Sequence, residues 1–280
     1  METVPVPVMN SEFPTRPVWP GLFLQAQEGP GIERIDRQSA PALLKFTPWE
    51  SIPGLVQGVT VKDGDGVGTD YDTLASAAGN LGFGRLLRLR QVHGARVLET
   101  GDECFGQEDK DSRPEGDGII GGGAGVLGVV SVADCVPAFL LERGTSAWAV
   151  VHTGWRGVAA GVLAEAVAGL AGCRGVHPGR LELYLGPSIC GRCYEVGGDV
   201  AGVLAEAGAG TGINSEHGKI LADLRAILAV QAGRAGLESA KIFTSAYCTS
   251  CRNDLFCSFR AEGERGLRRM WGIIGFSSTG

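Results

Sequence analysis

Turns of only a few residues separate several consecutive strand-like segments in this chain. They leave no room for the crossover helices that a parallel sheet needs between its strands. Alternation and β-branched content mark strands at 86–92, 95–99, 126–132, 138–141, 147–151, 180–185, 241–244 and 271–275. Helical rhythm is rarer. Val158, Val162, Ala166 and Leu170 recur on one face of 158–170, and Leu221, Leu224 and Leu228 on one face of 220–235. Strands outnumber helices, no internal repeat is visible, and the pattern predicts an α+β fold with an antiparallel or mixed sheet. Residues 1–45 read as an irregular lead-in with edge strands at 31–37 and 42–46, ahead of a single catalytic domain over 46–280.

Composition narrows the function. Hydrophobic residues make up 44% of the 280-residue chain and charged ones 20%, enough to bury a core and too little polarity for long disorder. With 25 Lys and Arg against 31 Asp and Glu, the net charge of −6 lacks the cationic footprint of a nucleic-acid binder. The longest apolar run, 121–133, stops at Asp134 short of a membrane span. The N-terminus carries Glu2 and many prolines, unlike a signal peptide, and eight cysteines are too few for a disulfide scaffold. A reducing cytoplasm is the expected location. The glycines at 121–123, 125 and 128 resemble a phosphate loop only superficially, because a strand and no Lys-Ser/Thr pair follows.

Two of the four histidines end strands. His93 closes RLRQVHG and His152 closes AWAVVHTGWRG, positions that project into loops where sites are built. Cys135 follows another strand, in VVSVADCVP. A turn at 142–146, symmetrical about Gly144, would set Val136 across from His152 and Cys135 across from Thr153, with a slip of one residue possible. Either register makes Cys135 and His152 neighbours. One thiolate and two imidazoles suit Zn²⁺, keep the fourth tetrahedral position for water or substrate, and would activate that water near neutral pH. A buried thiol beside core histidines is the alternative.

These residues stand in a wider pattern: QVHG at 91–94, ADC-x-P at 133–137, H-x-GWRG at 152–157, GP-x-I at 186–189, CYEVG at 193–197 and C-T…F-x-SFR at 248–260. The pattern resembles the polyphenol oxidase/laccase-domain family over roughly residues 45–276. The family includes purine nucleoside phosphorylases and peptidoglycan-precursor editing factors. The resemblance implies a single-domain αββ sandwich with a mixed, largely antiparallel sheet. It also implies a zinc ion held by His93, Cys135 and His152, with phosphorolysis of adenosine, inosine and methylthioadenosine and deamination of adenosine. Zinc deaminases follow the same logic. Phosphorolysis adds a need for an anion site, for which Arg156 and Arg260 are candidates because a guanidinium fork matches phosphate. Asp134 is a candidate to orient a ligand imidazole or to cap a turn, Glu195 to act as acid or base, and Gln91 to share the face of His93 and contact substrate. The family's Asn-Arg pair upstream of QVHG is missing from 57–87, which bears on nucleoside preference. Multicopper oxidation needs histidines in His-x-His pairs, and this chain has none.

A second reading is a cysteine hydrolase or amidase, including precursor editing, with Cys135 as nucleophile and His152 as base. A third is a partner-binding protein with a degenerate site. Two C-x-x-C pairs, Cys190/Cys193 and Cys248/Cys251, stand 54 residues apart, much further than in a zinc ribbon. They are open to reading as a structural zinc site, a redox disulfide or idle thiols.

Overall fold

A computed structural model of the protein describes residues 30–62, 69–102, 113–263 and 268–279. Its strands in chain order are β1 (Glu33–Asp36), β2 (Leu43–Phe46), β3 (Leu55–Thr60), β4 (Arg85–Arg88), β5 (Val97–Glu99), β6 (Gly118–Gly121) and β7 (Val126–Val132). They continue as β8 (Val136–Glu142), β9 (Ala147–Thr153), β10 (Glu182–Leu185), β11 (Ile213–Glu216), β12 (Lys219–Ala222), β13 (Ile242–Thr244) and β14 (Met270–Phe276). The helices are α1 (Tyr71–Asn80), α2 (Trp155–Ala159), α3 (Val162–Arg174), α4 (Gly198–Ala207), α5 (Leu224–Arg234) and α6 (Phe259–Glu262).

Two mixed six-stranded sheets form, in the orders β1-β2-β3-β14-β7-β4 and β13-β10-β8-β9-β6-β5, while β11 and β12 pair as a separate hairpin. All pairings in the sheets are antiparallel except β4 with β7, β5 with β6 and β10 with β13. This is the expected α+β sandwich. The period-2 pattern of β8 and β9 explains the layering. Ala138, Leu140, Ala149 and Val151 face a core shared with Val162, Ala166 and Leu170 of α3 and with Ile227 and Leu228 of α5. The alternate residues Phe139, Leu141, Trp148 and Val150 face Phe46, Val130 and Ile274 of the other sheet. Both strands are therefore buried on both faces, which is why they read as near-continuous apolar runs.

Several local expectations change. The ladder pairs Val136 with Thr153 and Pro137 with His152, one residue away from the expected register, because the β8–β9 loop spans 143–146 and is centred between Gly144 and Thr145, not on Gly144. The strand expected over 86–92 ends at Arg88, since the chain beyond it turns to wrap a buried carboxylate described below. The helix expected over 158–170 is two helices, broken at Gly161, whose φ of 79° lies in the left-handed region that glycine adopts without penalty. The helix expected over 220–235 begins as strand β12. Asp223 then caps α5 by accepting from the backbone N–H groups of Arg225 and Ala226, so Leu221 belongs to the strand and only Leu224 and Leu228 to the helix. β1 and β2, the two segments within the expected lead-in, are outer strands of the first sheet, and Leu44 and Phe46 are fully buried.

Candidate functional site

Two chain segments cross from one sheet to the other near one end of the sandwich. The first leaves β4, passes residues 89–96 and enters β5; the second leaves β7, passes residues 133–135 and enters β8. His93 lies on the first crossing and Cys135 on the second, while His152 sits near the end of β9 beside β8. The sandwich thus brings together residues separated by 42 and 17 positions in sequence. Their donor atoms, two ring nitrogens and one sulfur, lie within 4.8 Å of one another. The two imidazoles meet edge to face, centroids 4.7 Å apart and planes at 83°.

Asp117, at the mouth of β6 and fully buried, organises this cluster. Its Oδ1 accepts from the His93 backbone N–H at 3.0 Å and from His152 Nδ1 at 2.8 Å. Its Oδ2 accepts from the N–H groups of Val92 and Gly94 at 3.2 and 2.7 Å. Burial alone would raise this carboxyl, but the bonds from His152 and from the backbone outweigh it and hold the group below the usual carboxylate range. An ionised Asp117 can only accept, so the proton of neutral His152 sits on Nδ1 and Nε2 is left to face the cluster. Wrapping the chain around this carboxylate also places His93 at a φ of 58°, a strained backbone held by three donors.

Cys135 sits among these groups as a half-buried free thiol. Burial pushes it up, but hydrogen bonds from His152 and His93 prevail and bring it down to about 6. His152 moves the other way, to about 9: burial opposes its charge, and Asp117 and Cys135 together outweigh burial. Gly154, which caps the N-terminus of α2, closes the cluster from below. A Cβ there would stand 2.9 Å from His93 Cδ2 and 3.1 Å from Cys135 Sγ, so the site uses the space a side chain would fill. One soft donor, two borderline donors, single-ion spacing and a fixed His152 tautomer fit a tetrahedral metal ion with an open fourth position. His177 and His217 are exposed and apart from the cluster.

The remaining candidates separate. Asp134 does not reach an imidazole. Its Oδ1 accepts from Thr249 Oγ1 at 2.6 Å, its Oδ2 from the Arg260 N–H at 2.7 Å, and its carbonyl from the Ile189 N–H at 3.0 Å, so it pins three loops around Cys135. Gln91 is spent on Ser131: Oε1 accepts from its N–H at 2.7 Å and Nε2 donates to its carbonyl at 2.9 Å. Glu195 turns outward and pairs with Lys219 at 2.7 Å. Arg156 is exposed and stacks over Trp155 at 4.5 Å. The Arg260 guanidinium, also exposed, donates to the Glu195 carbonyl at 3.0 Å and lies over Tyr194, 5.4 Å from the ring centroid. Tyr194 itself escaped the sequence reading. Burial and the Cys135 charge push its hydroxyl up to about 12, and the two arginines act on it in the opposite direction. Asp117 escaped as well, because EGDGII offers no spacing that ties an aspartate to a histidine 35 residues on.

An αββ sandwich that gathers His and Cys donor atoms near its sheet crossings presents a candidate metal site. Sequence comparison supplies the particular group: the profile of the multi-copper polyphenol oxidoreductase laccase family matches residues 55–277, and the chain belongs to that family. It is 33% identical over 206 residues to a purine nucleoside phosphorylase of Deinococcus radiodurans, covering 72% of this chain and 75% of that one. It is 34% identical over 196 residues to adenosine deaminase RL5 of an unknown prokaryotic organism, covering 67% and 74%. The crystal structure of YlmD from Geobacillus stearothermophilus superposes with a TM-score of 0.75 at 26% identity, over 88% of this chain and 99% of that one.

Proposed function

We propose that the protein is a zinc-dependent purine nucleoside phosphorylase, acting on adenosine, inosine and methylthioadenosine, with adenosine deaminase activity. The observation that carries this reading is the convergence of His93, Cys135 and His152 within 4.8 Å around the gap left by Gly154. Relatives named for both activities support it at about one-third identity. Bound zinc would supply a Lewis acid that activates water and polarises an electron-poor ring or carbonyl. The chain does the rest. Asp117 holds the proton on His152 Nδ1 and so keeps Nε2 available as a donor atom. Arg156 and Arg260, exposed guanidinium forks on the elements next to the cluster, are the groups that would bind phosphate or a ribose-phosphate product. Tyr194, kept protonated at neutral pH, can donate a hydrogen bond to a ligand oxygen. Val92 and Phe259, exposed apolar side chains one position before His93 and Arg260, offer surface for a purine face. The same donors argue against multicopper oxidation in this chain, because two imidazoles and one thiolate suit one ion and not a trinuclear cluster.

Incubation of the purified protein with adenosine, with and without phosphate, tests the reading. Adenine and ribose phosphate appearing only with phosphate indicate phosphorolysis, and ammonia with inosine appearing without it indicates deamination. Both should vanish on chelation and in Cys135→Ala; an absence of both from zinc-replete protein would overturn the proposal. The lowered Cys135 thiol beside His152 favours one second reading, a cysteine hydrolase or amidase. That enzyme would keep its activity without metal and would trap an acyl group on Cys135.

A further inference from the structure

The two C-x-x-C pairs meet in space. The loop after β10 carries Cys190 and Cys193, the loop after β13 carries Cys248 and Cys251, and β10 and β13 run parallel and adjacent at the edge of the second sheet. That pairing continues past the strands as a bridge between Ser188 and Cys248 and a bond from the Thr249 N–H to the Ser188 carbonyl at 3.1 Å. Fifty-four residues of intervening chain are closed by the sheet, and the four sulfurs come within 4.8 Å of one another. We propose that Cys190, Cys193, Cys248 and Cys251 bind a second zinc ion in a closed, structural Cys₄ site.

The geometry fits a single ion. Zn–S bonds of about 2.3 Å in a tetrahedron place the sulfurs roughly 3.8 Å apart, inside the observed limit. Cys193 and Cys251 Sγ are 3.4 Å apart and all four thiols are free, so no disulfide competes for the sulfurs. Backbone N–H groups already point at sulfur: those of Cys190 and Cys251 donate to Cys248 Sγ at 3.3 and 3.4 Å, as the sulfur of a thiolate ligand requires. Cys190 and Cys248 are buried in a small apolar cluster with Ile189, and Cys251 lies at the exposed rim, which gives the ion a path in. Four protein ligands leave no position for substrate, so the ion holds structure and does not take part in chemistry.

What it holds is the rim of the first site. Tyr194 follows Cys193 directly, and Thr249, between Cys248 and Cys251, donates to Asp134, which also fixes the Arg260 backbone. One ion would therefore clamp the loop that carries the Tyr194 phenol to the loop whose Thr249 holds Asp134, and through Asp134 would steady the Arg260 backbone. The inference does not depend on the nucleoside reading.

Metal analysis of the full chain, purified under reducing conditions and saturated with zinc, tests it. Wild type should hold two equivalents. Cys135→Ala should lose one and keep the other, with the four clustered thiols shielded from alkylation until a strong chelator is added, and its zinc X-ray absorption should show sulfur ligands alone. Cys193→Ser combined with Cys251→Ser should also lose one equivalent and melt at a lower temperature. Cys251→His, which keeps a zinc ligand, should recover both the equivalent and the melting temperature, separating metal loss from general damage to the fold. One equivalent in wild type and none in Cys135→Ala, with freely alkylated thiols, would overturn the proposal. So would a Cys193–Cys251 disulfide in protein that binds no second ion.

Discussion

Asp117 is fully buried and receives four hydrogen bonds on two oxygens, so its influence passes through His152 and through the backbone that carries His93. Removing its charge should therefore appear first in the ligands. Asp117→Asn turns an acceptor-only group into one that must present an N–H to at least one of these donors, and partners of this kind are worth about 10–100-fold in metal affinity. Competition with a chromophoric chelator measures that loss. The same residues set a pH response in metal-stripped protein. A thiol held down to about 6 gains its thiolate as pH rises through that value, well below the ordinary 9.0, while His152 stays protonated up to about 9. Alkylation of Cys135, followed by peptide mass spectrometry, should have its midpoint near pH 6. Zinc should suppress it, and a midpoint near 9 would show that the imidazoles do not act on the sulfur. At this scale the sequence made the three clustered residues legible: His152 stands near the end of β9 and Cys135 just ahead of β8, while His93 closes QVHG although its strand stops earlier, at Arg88. Asp117 was not legible, since a lone aspartate between glycines carries no pattern until the strands are placed.

Where elements meet, glycine sets the clearances. β8 and β9 were readable because both are near-continuous apolar runs, yet their register followed from a four-residue loop centred between Gly144 and Thr145, not on Gly144. β3 and β6 were not readable, and close approach gives the reason. Gly58 in β3, at a φ of 146°, leaves room for the Leu44 carbonyl, which a Cβ would meet at 2.7 Å, so packing removes the side chain that would have marked the strand. Gly154 is the functional instance. Its φ of −75° is open to any residue, so Gly154→Ala strains no backbone, and the stability change should stay within the roughly 0.4–1 kcal/mol that such substitutions produce through the unfolded chain. The added methyl would nevertheless press on His93 and Cys135. A displacement of about 1 Å in a reacting constellation can cost about 10²-fold, so kcat/KM and metal affinity should fall together while the melting temperature barely moves. Equal loss of stability and activity would argue that Gly154 serves only the fold.

Across the whole molecule, the relative position of the two sheets decides whether the site exists, because His93 and Cys135 lie on the segments that pass from one sheet to the other. The sequence specified each sheet's strands better than their stacking, which depends on complementary volumes far apart in the chain. Trp148 shows how the stacking is keyed. It is fully buried between the layers, and a Cβ on Gly121 of β6 or Gly128 of β7 would collide with its indole, so two glycines from different sheets form the slot it fills. Trp148→Ala should leave a void that rigid strands cannot close, costing about 3–5 kcal/mol of unfolding free energy. Trp148→Phe should cost clearly less. It keeps a ring in the slot and also removes the indole N–H, which finds no acceptor among the described residues and carries a desolvation penalty of about 1–3 kcal/mol in the native protein. Urea unfolding checks both variants: a lowered midpoint at constant m-value would confirm a packing loss in an otherwise unchanged fold. If Trp148→Phe proved as damaging as Trp148→Ala, filling of the slot would not be what holds the layers in register, and the placement of His93 over Cys135 and His152 would need another support.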